Sequence, residues 1–183
     1  MSKIKLHRNS QKRFYAEDFI YFITTNVADR SPYFKKEIFC DLFIDCLKFC
    51  KELKKFELYG LVIIPNHIHL LLRPSDEYNI SKVMKSLKEN FSRNVNIVLG
   101  FTNEGATTSS RLQSIKTLLQ NKQTFPKFQW QKSYHDHVIR GEEDFNEHLQ
   151  YIWRNPEKHN IINNWEEYKY SSYKNFEELI DQI

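Results

Sequence analysis

Long apolar runs are missing from this sequence. No segment approaches the roughly 18 uninterrupted apolar residues that a membrane span needs. The first residues, MSKIKLHRNSQKRF, place cations where a secretory signal has an apolar stretch, so a cytoplasmic protein is expected. Cysteine is scarce, with three in 183 residues. Cys40, Cys46 and Cys50 have no paired C-x-x-C spacing, which argues against a disulfide framework or a cysteine-based structural zinc site. Cys46 and Cys50 lie four apart on one face of an expected helix and read as core thiols, since free cysteine packs as a small hydrophobe. H-E-x-x-H and Gly-rich phosphate loops are absent too, which removes the commonest hydrolase and nucleotide-binding signatures. Neither an internal repeat nor a low-complexity tract is present.

What remains is an ordinary globular composition, 40% apolar and 27% charged, expected to form a single domain over residues 1–183 with a proper core. The net charge is only +4, but it is unevenly spread. Residues 1–15 carry five Lys/Arg and no acid, residues 79–132 carry nine against two acids, and residues 142–183 carry four against ten. A basic middle with an acidic tail fits a polyanion-binding face, and it also fits a plain solvated surface.

Periodicity supplies the elements. FIYFITTNV (19–27) is aromatic and β-branched, a strand. Residues 35–56 place Ile38, Leu42, Phe43, Cys46, Leu47, Cys50 and Leu53 on one helical stripe. FELYGLVII (56–64) and HIHLLLR (67–73), separated by Pro65-Asn66, predict an antiparallel hairpin. A second helix is expected over 79–99, and residues 100–128 read as a loop or insertion with a short helix near 111–122. FQWQKSYHDHVIR (128–140) predicts a last strand. Residues 142–155 predict a third helix, started by acids that suit its positive end and stopped by Pro156; residues 160–183 form a tail. The order β-α-β-β-α-β-α implies an α+β, ferredoxin-like split βαβ plan, an antiparallel sheet with helices on one face.

Within that plan, PNHIHLLLR is anomalous. Residues i and i+2 of a strand share a face, so His67 and His69 project together while Ile68 points into the core with Leu70 and Leu72. Two adjacent imidazoles form half of a divalent-metal site, or simply end a strand in hydrogen bonds. A second pair, His135 and His137 in HDH, competes, with Asp136 on the opposite side. On the third helix Phe145, Leu149 and Ile152 form an apolar stripe, and His148, Tyr151 and Asn155 follow an adjoining one. A tyrosine there is either a core-edge aromatic or a nucleophile. With a phenol pKa near 10, nucleophilic attack near neutral pH requires a base or a nearby cation.

PNHIHLLL, followed far downstream by WQKSYHDHVIRGEEDFNEHLQYIWRNPEKHN, resembles the REP-associated tyrosine transposases, IS200-like members of the single-strand HUH transposases. The likeness runs from about residue 15 to about residue 175 and includes the Trp165–Tyr173 tail. It implies an HUH endonuclease-type fold, His67 and His69 as metal ligands, Tyr151 as nucleophile and Asn155 as a further polar ligand. The family's reaction is a transesterification on single-stranded, hairpin-forming DNA through a 5′-phosphotyrosine, with Mg²⁺ or Mn²⁺ as cofactor. His137 matches a histidine common in the family and is a candidate DNA contact. Residues 100–128 are longer than the usual connection.

The resemblance fits the charge pattern. Lys82, Lys85, Lys88 and Arg93 of the second helix, with Lys12 and Arg13 of the basic N-terminal arm (1–15), are candidate phosphate contacts. Trp130, with Tyr15, Phe128 and Tyr134, is a candidate stacking surface. A monomer and a homodimer are both compatible with these features. Two rival functions stay open: a catalytically retired hairpin-binding module of the same fold, and a metal hydrolase that activates water at the histidines.

Overall fold

A computed structural model describes residues 19–103, 109–119 and 125–182. Four strands, β1 (Tyr21–Asn26), β2 (Glu57–Ile64), β3 (His67–Arg73) and β4 (His135–Val138), form one antiparallel sheet in the order β2-β3-β1-β4. Helices α1 (Glu37–Lys54), α2 (Ile80–Val98), α3 (Ser110–Leu119) and α4 (Glu142–Lys158) complete the architecture. This is the expected split βαβ order, an α+β antiparallel sheet. No helix among the described residues is long and apolar enough to cross a membrane.

Alternation along β1 and β3 divides the interior in two. Ile23, Ile68, Leu70 and Leu72 join Phe43, Leu47, Met84, Leu87 and Phe91 from α1 and α2 in the main core. Leu71 points the other way and joins Tyr59, Val62, Ile64, Phe145 and Ile152 in a second cluster built under α4. The helices are therefore not confined to one face. The Phe145-Leu149-Ile152 stripe needs an apolar surface, and the far side of β2 and β3 provides one. Gly60 permits the close approach: a Cβ there would stand 2.9 Å from Leu149 Cδ1 and 3.1 Å from Ile152 Cδ1.

Two boundaries differ from expectation. Helix α4 runs through Pro156 to Lys158, because a proline in the last turn sacrifices one hydrogen bond near an end that is about to fray anyway. Strand β4 shrinks to four residues; Trp130 contributes only an isolated bridge to Val27. The tail does structural work on the β2 edge. Ile63 N–H donates to Tyr170 O at 3.0 Å, Ser172 N–H to Leu61 O at 2.9 Å and Asp181 N–H to Leu58 O at 2.8 Å, blocking an edge that would otherwise be open to pairing. All three cysteines are free and buried, and burial pushes the Cys46 thiol up to about 12.

Candidate active site

The sheet face beneath α4 carries His67 and His69, paired across the ladder with Asn26 and Thr24 of β1. Both imidazoles are nearly fully buried, 5% and 3% exposed, with ring centres 4.8 Å apart and perpendicular planes. Their hydrogen bonds define their tautomers. Asn66 Oδ1 lies 2.8 Å from His67 Nδ1; an amide oxygen only accepts, so Nδ1 carries the proton and Nε2 a lone pair. Asn155 Nδ2 donates to His69 Nε2 at 3.2 Å, which puts the second proton on Nδ1, 2.8 Å from Thr24 Oγ1.

Both rings are held neutral. Burial, then the neighbouring His159 and Arg30, pushes His67 down to about 4; burial, then His67, His159 and Lys158, holds His69 well below the ordinary histidine range. Two neutral imidazoles, each with Nδ1–H tied to an oxygen and Nε2 carrying a lone pair, have the donor chemistry of a metal site whose outer partners fix ring orientation. Asn155 is fully buried, and its Oδ1 has no hydrogen-bond partner among the described residues. An orphaned carbonyl oxygen beside two imidazole lone pairs fits a divalent cation. Asn26 Oδ1, in the residue facing His67 on β1, is orphaned in the same way.

Tyr151 stands beside this pair within the same chain. Its ring meets His69 edge-on at 5.3 Å and Phe22 at 5.7 Å, and Lys158 Nζ lies 4.6 Å from its centre. Phe22 is the hub, stacked on His69 at 5.3 Å and touching His148 at 4.7 Å. A pair of imidazoles with a buried amide and a half-buried phenol alongside is chemically suited to holding and attacking a phosphodiester.

Residues 15–103 match the family model described as "Transposase IS200 like". A Haemophilus influenzae protein assigned to the REP-associated tyrosine transposases is 26% identical over 167 residues, covering 90% of this chain and 85% of the relative. The REP-associated tyrosine transposase of Escherichia coli K12 is 22% identical, covering 88% and 81%. The chain is thus similar to the IS200-like transposases, and to REP-associated tyrosine transposases over most of its length. A solved REP-associated tyrosine transposase bound to a REP hairpin shares the fold, with a TM-score of 0.68 over 90% of this chain and 82% of that one, at 19% identity. The family is one of DNA-processing enzymes.

The structure brings His67, His69, Tyr151 and Asn155 together and separates most of the expected DNA contacts from them. Lys82, Lys85 and Arg93 are exposed on α2, which covers the opposite face of the sheet. Lys88 donates through Nζ to Gln131 O at 2.8 Å and Ser133 O at 3.2 Å. Phe128 and Tyr134 are buried, so they offer no stacking face. Trp130 packs against Phe34, Phe91 and Phe128 and donates from Nε1 to Lys88 O at 3.2 Å. These aromatics entered the core because the chain before β4 lies over α2 rather than over the histidine face. Lys12, Arg13 and Tyr15 lie outside the described residues.

The HDH pair does not act as a unit among the described residues. His135 is exposed, while His137 turns to Asp144 and His148. Thr24, Asn26, Phe22 and Lys158 were missed from sequence. Ladder pairing would have exposed Thr24 and Asn26, since residues opposite His69 and His67 on β1 necessarily share their face, and alternation along β1 adds Phe22.

Proposed function

We propose that this chain cleaves and rejoins single-stranded DNA by transesterification, through a 5′-phosphotyrosine at Tyr151, at hairpin-containing REP-like sequences. One observation carries the reading: two neutral imidazoles with Nε2 lone pairs, that of His69 held by Asn155 Nδ2, lie with the orphaned Asn155 Oδ1 beside the Tyr151 ring.

In the step, Tyr151 Oη bonds to the scissile phosphorus and the P–O3′ bond breaks. The phenol proton is lost and the departing 3′ oxygen gains one, leaving a free 3′-OH. One phosphodiester replaces another, so no nucleotide is consumed and the reverse attack rejoins the strand. His67, His69 and Asn155, after rotation of its amide, would hold Mn²⁺ or Mg²⁺, which when bound polarises the phosphate and offsets developing charge. Lys158, next to Tyr151, adds positive charge on the same side. The hairpin partner is inferred from the solved relative bound to a REP hairpin, and the basic arm with Lys12 and Arg13 is assigned to phosphate binding. Tyr151 and the histidines meet within one chain, which supports an active site assembled in cis.

Incubation with an end-labelled single-stranded hairpin oligonucleotide and Mn²⁺, followed by denaturing electrophoresis, tests the proposal. The wild-type chain should yield a protein–DNA adduct, and Tyr151→Phe should bind but yield none. Cleavage without an adduct, or cleavage that survives Tyr151→Phe, would identify a water-activating hydrolase instead. Tight binding with no cleavage under any metal would identify a retired binding module.

A further inference from the structure

Beyond Phe22, away from His67 and His69, a second group of donor side chains converges. The Asp144 carboxylate on the first turn of α4 accepts a hydrogen bond from His137 Nε2 on β4 at 2.9 Å, and His148 Nδ1, one turn further along α4, stands 2.9 Å from Asp144 Oδ1 while hydrogen-bonding the Asp144 backbone carbonyl at 2.8 Å. The two imidazoles stack, with centres 4.6 Å apart and planes 14° from parallel. One nitrogen from each histidine and one carboxylate oxygen all lie within 4.8 Å of one another. We propose that His137, Asp144 and His148 form a second divalent transition-metal site, distinct from the His67/His69 pair, that fastens the nucleophile-bearing helix α4 to strand β4.

The donor set is right for such an ion. Two imidazoles and a carboxylate suit Zn²⁺, Co²⁺ or Mn²⁺. Ligand atoms around a tetrahedral ion with bonds near 2.1 Å stand about 3.4 Å apart, so the observed cluster needs only small side-chain rotations. Asp144 and His148 supply an i, i+4 pair on one helix face, and His137 supplies the third ligand from a separate element. The carboxylate is prepared for the role: partial burial works against ionisation, but hydrogen bonds from His137 and from Arg140 N–H, the latter at 2.8 Å, hold its pKa below the usual range.

The surroundings favour a cation as well. His148 rests on the Phe22 ring at 4.7 Å, an apolar wall that fixes its orientation. His137 is 44% exposed at its side chain, so the cluster has a path to solvent. The helix N-terminus carries a partial positive charge, and Glu142 and Glu143 beside Asp144 in the first turn offset it.

Binding would exchange protons for the ion. His137 Nε2 now bonds the carboxylate and His148 Nδ1 the Asp144 backbone carbonyl, so each ring must surrender that proton or move it to its other nitrogen before that atom can ligate. No redox partner is required. The consequence falls on Tyr151, which lies three residues beyond His148 and shares Phe22 with it. A filled clamp restrains the start of α4 and with it the position of the phenol.

The inference does not rest on the phosphotyrosine reading, and its test separates the two. A tag-free full-length chain carrying His67→Ala and His69→Ala is titrated with Zn²⁺ by calorimetry and with Co²⁺ by visible absorption. Uptake of one ion per chain, with a Co²⁺ ligand-field band, is expected. Adding His137→Gln or His148→Gln should weaken it by at least about tenfold. A folded double variant, checked by circular dichroism, that takes up no ion would overturn the proposal, as would unchanged affinity after both glutamine substitutions. If the double variant does not fold, the wild-type stoichiometry decides: two ions falling to one in His148→Gln supports the clamp, and no change in His148→Gln overturns it. Adduct formation is scored separately, so a chain that binds the second ion yet makes no phosphotyrosine still supports the clamp.

Discussion

Asn155 Nδ2 and His69 Nε2 meet at 3.2 Å although 86 residues separate them in the chain. That contact joins α4 to β3 and brings a phenol on the helix to imidazoles on the strand. It also dictates the tautomer of His69, and so places a lone pair on the side facing the helix.

The tautomer depends equally on Thr24, whose hydroxyl lies 2.8 Å from His69 Nδ1. Thr24→Val removes that partner while preserving shape. Mn²⁺ affinity should fall by about 10- to 100-fold, as it does when the outer partner of a ligating histidine is lost, with the far-ultraviolet circular dichroism spectrum unchanged. Calorimetric titration measures it; an unaltered dissociation constant would mean that Thr24 does not orient the ring.

The neutral histidines make metal-free stability depend on pH. His67 is held at about 4 in the folded chain, against about 6.5 when unfolded. Between those values the unfolded state binds more protons, so stability should rise with pH from about 4 to about 6.5 and level off above. The contribution is on the order of 3 kcal/mol for this group. Urea unfolding across that range with a chelator present, comparing wild type with His67→Phe, should show a shallower slope in the variant.

Gly60 should tolerate little. A Cβ would meet the ends of Leu149 and Ile152, which are flexible, so Gly60→Ala is expected to cost about 1 kcal/mol or less. Gly60→Val adds branches and should cost about 1–3 kcal/mol by overpacking. Because the displaced element is α4, adduct formation should fall more in Gly60→Val than stability alone explains, as single-turnover rates would reveal.

Lys158 Nζ lies 4.6 Å from the centre of the Tyr151 ring. A cation there offsets charge on the phenolate and the attacked phosphate. Lys158→Gln should slow adduct formation by about tenfold, while oligonucleotide affinity changes by less than about threefold. Lys158→Arg should retain most of the rate. Equal losses of rate and affinity would assign Lys158 to DNA binding alone.

Much of this was legible in the residues. The period of two in HIHLLLR placed Ile68, Leu70 and Leu72 in one core and both histidines on the other face, because strand geometry leaves no alternative. The period of 3.6 in 142–155 put Tyr151 and Asn155 on one helical stripe for the same kind of reason. Trp130 and Tyr134 show where such reading stops. An aromatic in an irregular segment has no periodicity to declare its facing, and only the path of the chain over α2 decided that they pack inward. His137 was visible as one half of HDH, but its partners Asp144 and His148 belong to another element.

The sequence by itself therefore determined the element order, the antiparallel α+β plan and the shared facing of His67 and His69, all consequences of local backbone geometry and hydrophobic period. The tertiary structure alone decided that α4 crosses to the far face of the sheet, that Asn155 and Tyr151 come to His69, and that His137 joins Asp144 and His148. Those outcomes depend on which apolar surface remains for the last helix after α1 and α2 have covered the other, and long-range packing of that kind leaves no local pattern in the chain.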